Sequence, residues 1–184
     1  MAAPKRKSFY EKTLSEKTIF RGRIFKMVRQ TVRLPDNRVS TRDLILHPGA
    51  VAMIPFDSRG NILMVRQFRK AAGKEMLEIP AGTIDPGESL LTCVQRELQE
   101  EIGFKAKSVQ RLVSYYPAAG YTTEVIHIYV AKHLIPSRKD ADHDEFLEVI
   151  PMTPKKILDM IRTRKIQDSK TMIGMLYFHL LKKP

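Results

Sequence analysis

The stretch GTIDPGESLLTCVQRELQEEIGF, residues 82–104, decides how this chain is read. It opens on Gly82 and passes a turn-forming Asp85-Pro86-Gly87. From Glu88 to Ile102 the pattern is helical, and Gly103 suits the left-handed position that ends a helix. At about 100° per residue, Leu91, Val94, Leu98 and Ile102 share one narrow stripe, the expected core side. Glu97 and Glu101 lie one turn apart and flank that stripe. Glu100 sits beside Glu97 and points further toward solvent.

Such a cluster is costly by itself. Two unit charges about 5 Å apart repel by roughly 3 kcal/mol at an effective dielectric of 20. Like charges at i and i+4 weaken a helix, and anions near its C-terminus oppose the macrodipole. Arg96 offsets part of this, but one arginine cannot pair with all three acids. A hard divalent cation would remove the conflict, because Mg²⁺ takes oxygen ligands and often holds carboxylates together with substrate phosphates. A solvated charged face accounts for the helix equally well. The preceding segment favours the cation. A short strand ending in Ala81-Gly82 lets a backbone carbonyl reach the same ion, and Gly82 allows either a close approach or an unusual dihedral.

The rest of the chain is strongly basic. Its 184 residues carry a formal charge of +12 and are 43% hydrophobic, which fits one domain with a real core plus a small extension. A positive field attracts polyanions. The lysines and arginines are scattered, with no zinc-finger spacing and no RNA-recognition signature around Tyr115-Tyr116, so nucleic acid is not the expected partner. No apolar run is long enough to span a bilayer, and the basic start lacks the apolar core of a secretory signal. Cys93, the only cysteine, excludes an internal disulfide and fits a cytoplasmic protein. Its mid-helix place marks it as a buried, inert thiol.

Strand patterns occupy residues 17–34 and 39–47, joined by a turn at PDNR. They form an N-terminal hairpin extension over residues 1–46. The main domain is expected over 47–184. AVAMIPF and ILMVRQF read as buried strands around the DSRGN turn. EMLEIPAG is a short strand stopped by Pro80 and Gly82. VQRLVSYYP, TEVIHIYVAKHL and FLEVIPM are further strands. Thr153-Pro154 starts a helix. A final helix, capped near Asp168 or Ser169, presents Met172, Leu176 and Leu180 to the core. Strands and helices alternate only partly, which predicts an α/β (α+β) fold with a mixed β-sheet between helices.

Gly82, Glu88 and Arg96-Glu97-Leu98-Gln99-Glu100-Glu101-Ile102-Gly103-Phe104 together fit G-x5-E-x7-R-E-U-x-E-E-x-G-U, where U is apolar. The chain thus resembles the Nudix hydrolases. The likeness continues through HPGAVAMIPF, MVRQFRK, EIPAG, YYPAAGYTTE, DHDEFLEV and RKIQDSKT, over roughly residues 15–180. These segments are similar to those of ADP-ribose pyrophosphatases and related nucleoside-diphosphate-sugar hydrolases. The resemblance implies the Nudix fold and Mg²⁺-dependent cleavage of a pyrophosphate bond, with Mn²⁺ as the alternative ion. It implies Glu97 and Glu101 as central metal ligands, Glu100 assisting, and Ala81 contributing its carbonyl oxygen. Arg96 and Glu88 are implied as orienting residues, Arg69 as a phosphate-binding arginine, and Arg42 and Glu124 as further substrate contacts. It also implies a homodimer formed through the N-terminal segment.

The general base is implied in the acidic loop DADHDEFLEV. Some members hold two glutamates there, two residues apart. This chain has His143 at the first position and Glu145 at the second, so Glu145 is the first choice and His143, with its near-neutral pKa, the second. The alternatives are hydrolysis of dinucleoside polyphosphates or RNA 5′ ends, and a non-catalytic nucleotide- or nucleic-acid-binding module.

Overall fold

The computed structural model describes residues 8–139 and 146–181. In chain order the elements are β1 (Lys12–Arg21), β2 (Lys26–Arg33), β3 (Val39–Leu46), β4 (Ala50–Pro55), β5 (Ile62–Arg69), β6 (Lys74–Glu78), β7 (Ala81–Thr83), α1 (Leu90–Glu101), β8 (Phe104–Tyr115), β9 (Ile126–Pro136), β10 (Leu147–Met152), α2 (Pro154–Arg162) and α3 (Ser169–Leu181). They divide into two compact units, residues 1–48 with 118–124, and residues 49–117 with 125–184.

The first unit is an antiparallel meander in the order β1-β2-β3. The stretch expected as one strand over 17–34 is broken at Gly22, whose N–H donates to Phe25 O at 2.9 Å. A three-stranded sheet therefore stands where a hairpin is expected. The second reversal is the PDNR turn, with Asn37 at φ 69°, a conformation that asparagine tolerates. Arg29 and Asp43 face each other across β2 and β3 in a two-pronged ion pair of 2.7 and 2.8 Å. Residues 118–124 return to this unit, where Ile45 N donates to Tyr121 O and Thr123 N to Ile45 O.

The second unit contains a mixed sheet, β7-β4-β9-β8, with β4 and β9 parallel, and an antiparallel sheet, β10-β5-β6. Side chains alternate across the strands and build two cores. Val51, Met53, Leu63, Val65, Tyr129 and Ala131 face Cys93, Val94, Leu98 and Ile102 of α1. Ala52, Ile54, Ile62, Met64, Ile128 and Val130 face Ile157 of α2 and Met175 and Phe178 of α3. Two-sided burial explains why β4 and the first half of β5 are nearly continuous apolar runs. Ser89 caps α1 by accepting the Thr92 N–H at 3.1 Å, and Thr153 caps α2 in the same way. Gly103 has φ 77° after the last turn of α1.

Three local expectations change. EMLEIPAG is two strands in different sheets, with Pro80 between them and Gly82 inside β7 rather than ending a strand. On α1 the buried face runs from Cys93 through Glu97 and Glu101 to Val94 and Leu98. The two glutamates thus lie within that face instead of bordering it, and Leu91 falls outside, 57% exposed. On α3 the core side is Thr171, Gly174, Met175 and Phe178, while Leu176 and Leu180 are exposed. Gly174 sets that rotation, since a Cβ there would stand 3.3 Å from the Ile128 side chain and the helix seats closely on the sheet. Among the described residues no helix is long and apolar enough to cross a membrane.

Candidate active site

The site is built where β7 crosses α1. β7 pairs with β4 through Ala52↔Ala81 and Val51↔Gly82, which lays its backbone along the carboxylates of the helix. The Ala81 N–H donates to Glu101 Oε2 at 3.0 Å. A Cβ at position 82 would overlap the Glu97 carboxyl group. Of the two uses open to glycine here, the close approach is therefore the one observed. Glu97 and Glu101 are 7% and 5% exposed, and Glu100 is half-buried.

Arg96 is the hub of the acidic residues. Its Nε and Nη2 fork onto Glu88 at 3.0 and 2.9 Å. Its Nη1 donates to Glu97 at 2.6 Å and to Glu100 at 3.0 Å. Nη2 also donates to the Thr83 carbonyl at 3.0 Å, tying helix to strand. Arg96 thus reaches two of the three helix acids, and Glu101 is held by the strand. The Arg96 hydrogen bonds pull the Glu88 carboxyl down to about 2, and Glu88 in turn raises the guanidinium pKa. Glu88 also accepts the Asp85 N–H at 3.2 Å, which closes the TIDPGE turn. Cys93 lies under this network, fully buried, and burial pushes its thiol pKa up.

These residues fit a hard divalent cation. The donors are all oxygen, the two glutamates are largely shielded from water, and Glu88, Glu97, Glu100 and Glu101 outnumber Arg96, so the cluster has excess negative charge. As the side chains stand, no three acidic, histidine or cysteine groups among the described residues converge in ligand geometry. Arg96 and the Ala81 N–H hold the carboxylates instead.

Beside this cluster lies a second network that the sequence reading does not single out. Arg69 of β5 grips Glu78 of β6 with Nε at 3.0 Å and Nη2 at 2.8 Å. Glu78 is 1% exposed and also accepts from Lys170 Nζ of α3. Lys170 donates to Asp168 as well, at 3.0 Å. Burial alone would raise the Glu78 pKa, but Arg69 and Lys170 outweigh it and the carboxyl is held below its ordinary value. The Arg69 pKa is raised, first by Glu78 and more weakly by the charges of Glu101 and Asp168. One signal was present: EIPAG and RKIQDSKT both belong to the resemblance. Their pairing across 92 residues is set only by the fold.

Two of the remaining candidates belong to the first unit. Arg42, in the first unit, donates to Glu11 at 2.6 Å and to the Thr41 carbonyl. Glu124 belongs to the same unit, with its carboxylate 3.9 Å from His47 Nδ1. Glu145 and His143 lie outside the described residues.

Comparison with known proteins identifies the family. Residues 46–172 match the model of the NUDIX domain, and residues 11–45 match that of the nucleoside diphosphate sugar hydrolase N-terminal domain. The chain is 35% identical over 176 residues to an ADP-ribose pyrophosphatase of Bacillus subtilis, covering 95% of each chain. It is 40% identical to a methanol dehydrogenase activator of Bacillus methanolicus, again over 95% of each. A solved structure titled as an ADP compounds hydrolase superposes with a TM-score of 0.85 over 97% of each chain, at 22% identity, a likeness of fold.

Proposed function

The chain belongs to the Nudix hydrolase family, and we propose that it hydrolyses the pyrophosphate bond of ADP-ribose or a related nucleoside diphosphate sugar, with Mg²⁺ as its working ion. The observation that carries this reading is the buried Glu97–Glu101 pair laid against Ala81 and Gly82. The match of residues 11–45 to the N-terminal domain of nucleoside diphosphate sugar hydrolases supports the substrate class, as does the name of the Bacillus subtilis relative.

Glu97, Glu100, Glu101 and the Ala81 carbonyl would hold the ion. A divalent cation bound there neutralises phosphate charge and lowers the pKa of water. Arg96 and Glu88 keep α1 and the preceding turn in register, and Arg69 binds phosphate. Glu145 is assigned the proton of the attacking water. Oxygen from water bonds to one phosphorus as the bridging P–O bond breaks. The products are a nucleoside monophosphate and a sugar phosphate. The net charge of +12 raises the local concentration of such anions. Arg42 and Glu124 remain substrate-binding candidates of the first unit.

A homodimer formed through the N-terminal sheet is part of the same reading. β1 is exposed along its whole length and displays Leu14, Ile19 and Phe20, a surface a second copy would cover. Light scattering that finds only monomer at assay concentration counts against it.

The deciding experiment incubates the protein with Mg²⁺ and a panel of ADP-ribose, other nucleotide sugars, dinucleoside polyphosphates and capped RNA, and identifies the products. Release of AMP and ribose 5-phosphate from ADP-ribose is expected. Preferential cleavage of polyphosphates or caps would overturn the substrate assignment.

A further inference from the structure

Given the hydrolase reading above, we propose that Glu78 is a positioning residue for the reaction. Clamped from behind by Lys170, it fixes the Arg69 guanidinium so that its remaining N–H groups present to the substrate phosphates. Glu78 itself is buried and need not touch substrate.

The geometry that supports this starts at the exit of β6. Glu78 takes two donors from Arg69 and one from Lys170. A forked arginine–carboxylate pair fixes the guanidinium plane as well as its distance. Nε and one N–H of Nη2 are used, and among the described residues Nη1 has no hydrogen-bond partner. The Arg69 side chain is 40% exposed, so the far edge of the fork meets solvent while its near edge is anchored inside. Glutamine at 78 cannot do this work. It offers one acceptor oxygen, and its NH₂ would face a cation.

The anchor itself is rigid. Asp168 holds Lys170 at 3.0 Å and accepts both the N–H and the hydroxyl of Thr171, at 2.9 and 2.6 Å. Thr171 Oγ1 then accepts the Ile79 N–H at 2.9 Å. Pro80 O accepts the Met53 N–H at 2.9 Å, and the Ala81 N–H reaches Glu101. Residues 78 to 81 are therefore pinned one after another, and the start of α3 is joined to the backbone that lines α1. Two carboxylates, Glu78 and Asp168, balance two cations, Arg69 and Lys170, which is the condition for burying such a group.

The test is a double-mutant cycle on Glu78→Gln and Arg69→Ala, with kcat and KM measured separately on ADP-ribose and Mg²⁺. Each single variant is expected to lose about ten- to hundredfold in kcat/KM, mostly through KM. The double variant is expected to be no worse than Arg69→Ala, because Glu78 acts through Arg69. If Glu78→Gln is poorly folded by circular dichroism, Glu78→Gln/Lys170→Met removes the stranded ammonium and takes its place in the cycle. Losses that multiply in the double variant would overturn the positioning role, as would a Glu78→Gln enzyme with wild-type kcat/KM. Wild-type protein that cleaves no nucleoside diphosphate sugar would instead sink the hydrolase reading, and this role with it.

Discussion

The carboxyl group of Glu97 occupies the space that a side chain at position 82 would need. The contact joins the first residue of the sequence signature to α1, 15 positions later. Gly82→Ala must either push Glu97 off Arg96 or lift β7 from α1. Overpacking of this kind costs about 1–3 kcal/mol. An unfolding free energy lowered by that amount, seen as a lower urea midpoint, with hydrolysis reduced at least about tenfold, is the expected result. A variant with unchanged midpoint and turnover would show that the strand yields freely.

Glu101→Gln keeps the size of the side chain and still accepts the Ala81 N–H, but removes a charge from the cluster. Its melting temperature is expected to stay within a few degrees of wild type while Mg²⁺-dependent turnover falls by about two to three orders of magnitude, the size seen when a charge-stabilising group is lost. Calorimetric titration with Mg²⁺ should show weakened uptake in the same variant. Retained activity would remove Glu101 from the ligand set.

Arg96→Lys preserves charge but not the fork. A lysine cannot meet Glu88, Glu97, Glu100 and the Thr83 carbonyl together. Loss of roughly 1–3 kcal/mol is expected from chemical denaturation. Hydrogen exchange at residues 82–88 should rise more than in the core of β9.

Acid sensitivity follows from Glu88. Its carboxyl is held at about 2 in the folded chain against 4.5 ordinarily. A depressed value means the folded state favours the ionised form. The contribution is complete above about pH 4.5 and lost as pH falls toward 2. Wild type should therefore melt higher than Glu88→Gln at neutral pH, and the gap should close as the buffer is acidified through this window. A gap independent of pH would assign the effect to packing.

Glu145→Gln is expected to lower kcat by two or more orders of magnitude with little change in KM. A loss smaller than about tenfold would move the proton-accepting role, with His143→Gln as the next variant to measure.

Much of the site was legible from local chemistry. Too many carboxylates for one arginine, a glycine that allows a close approach or an unusual dihedral, and a turn leading into a helix all pointed to one place. What could not be read was the rotation of α1. Ordinary patterning assigns Leu91 to the core and Glu97 to its border, because apolar side chains usually take the buried positions. Here β7 and the Arg96 network satisfy the acids, so they go inside and Leu91 stays out. The Arg69–Glu78–Lys170–Asp168 network was hidden for another reason. Glu78 and Lys170 look like surface charge until the C-terminal helix is brought against β6.

Cys93 gives the molecule a built-in reporter. It is the chain's sole sulfhydryl, it has no exposure, and it lies beneath the guanidinium of Arg96. An alkylating reagent can reach it only when the helix separates from the strand beside it. The speed of labelling therefore counts how often α1 comes loose, and ligands that tighten its seat on β7 can be ranked by how far they slow it.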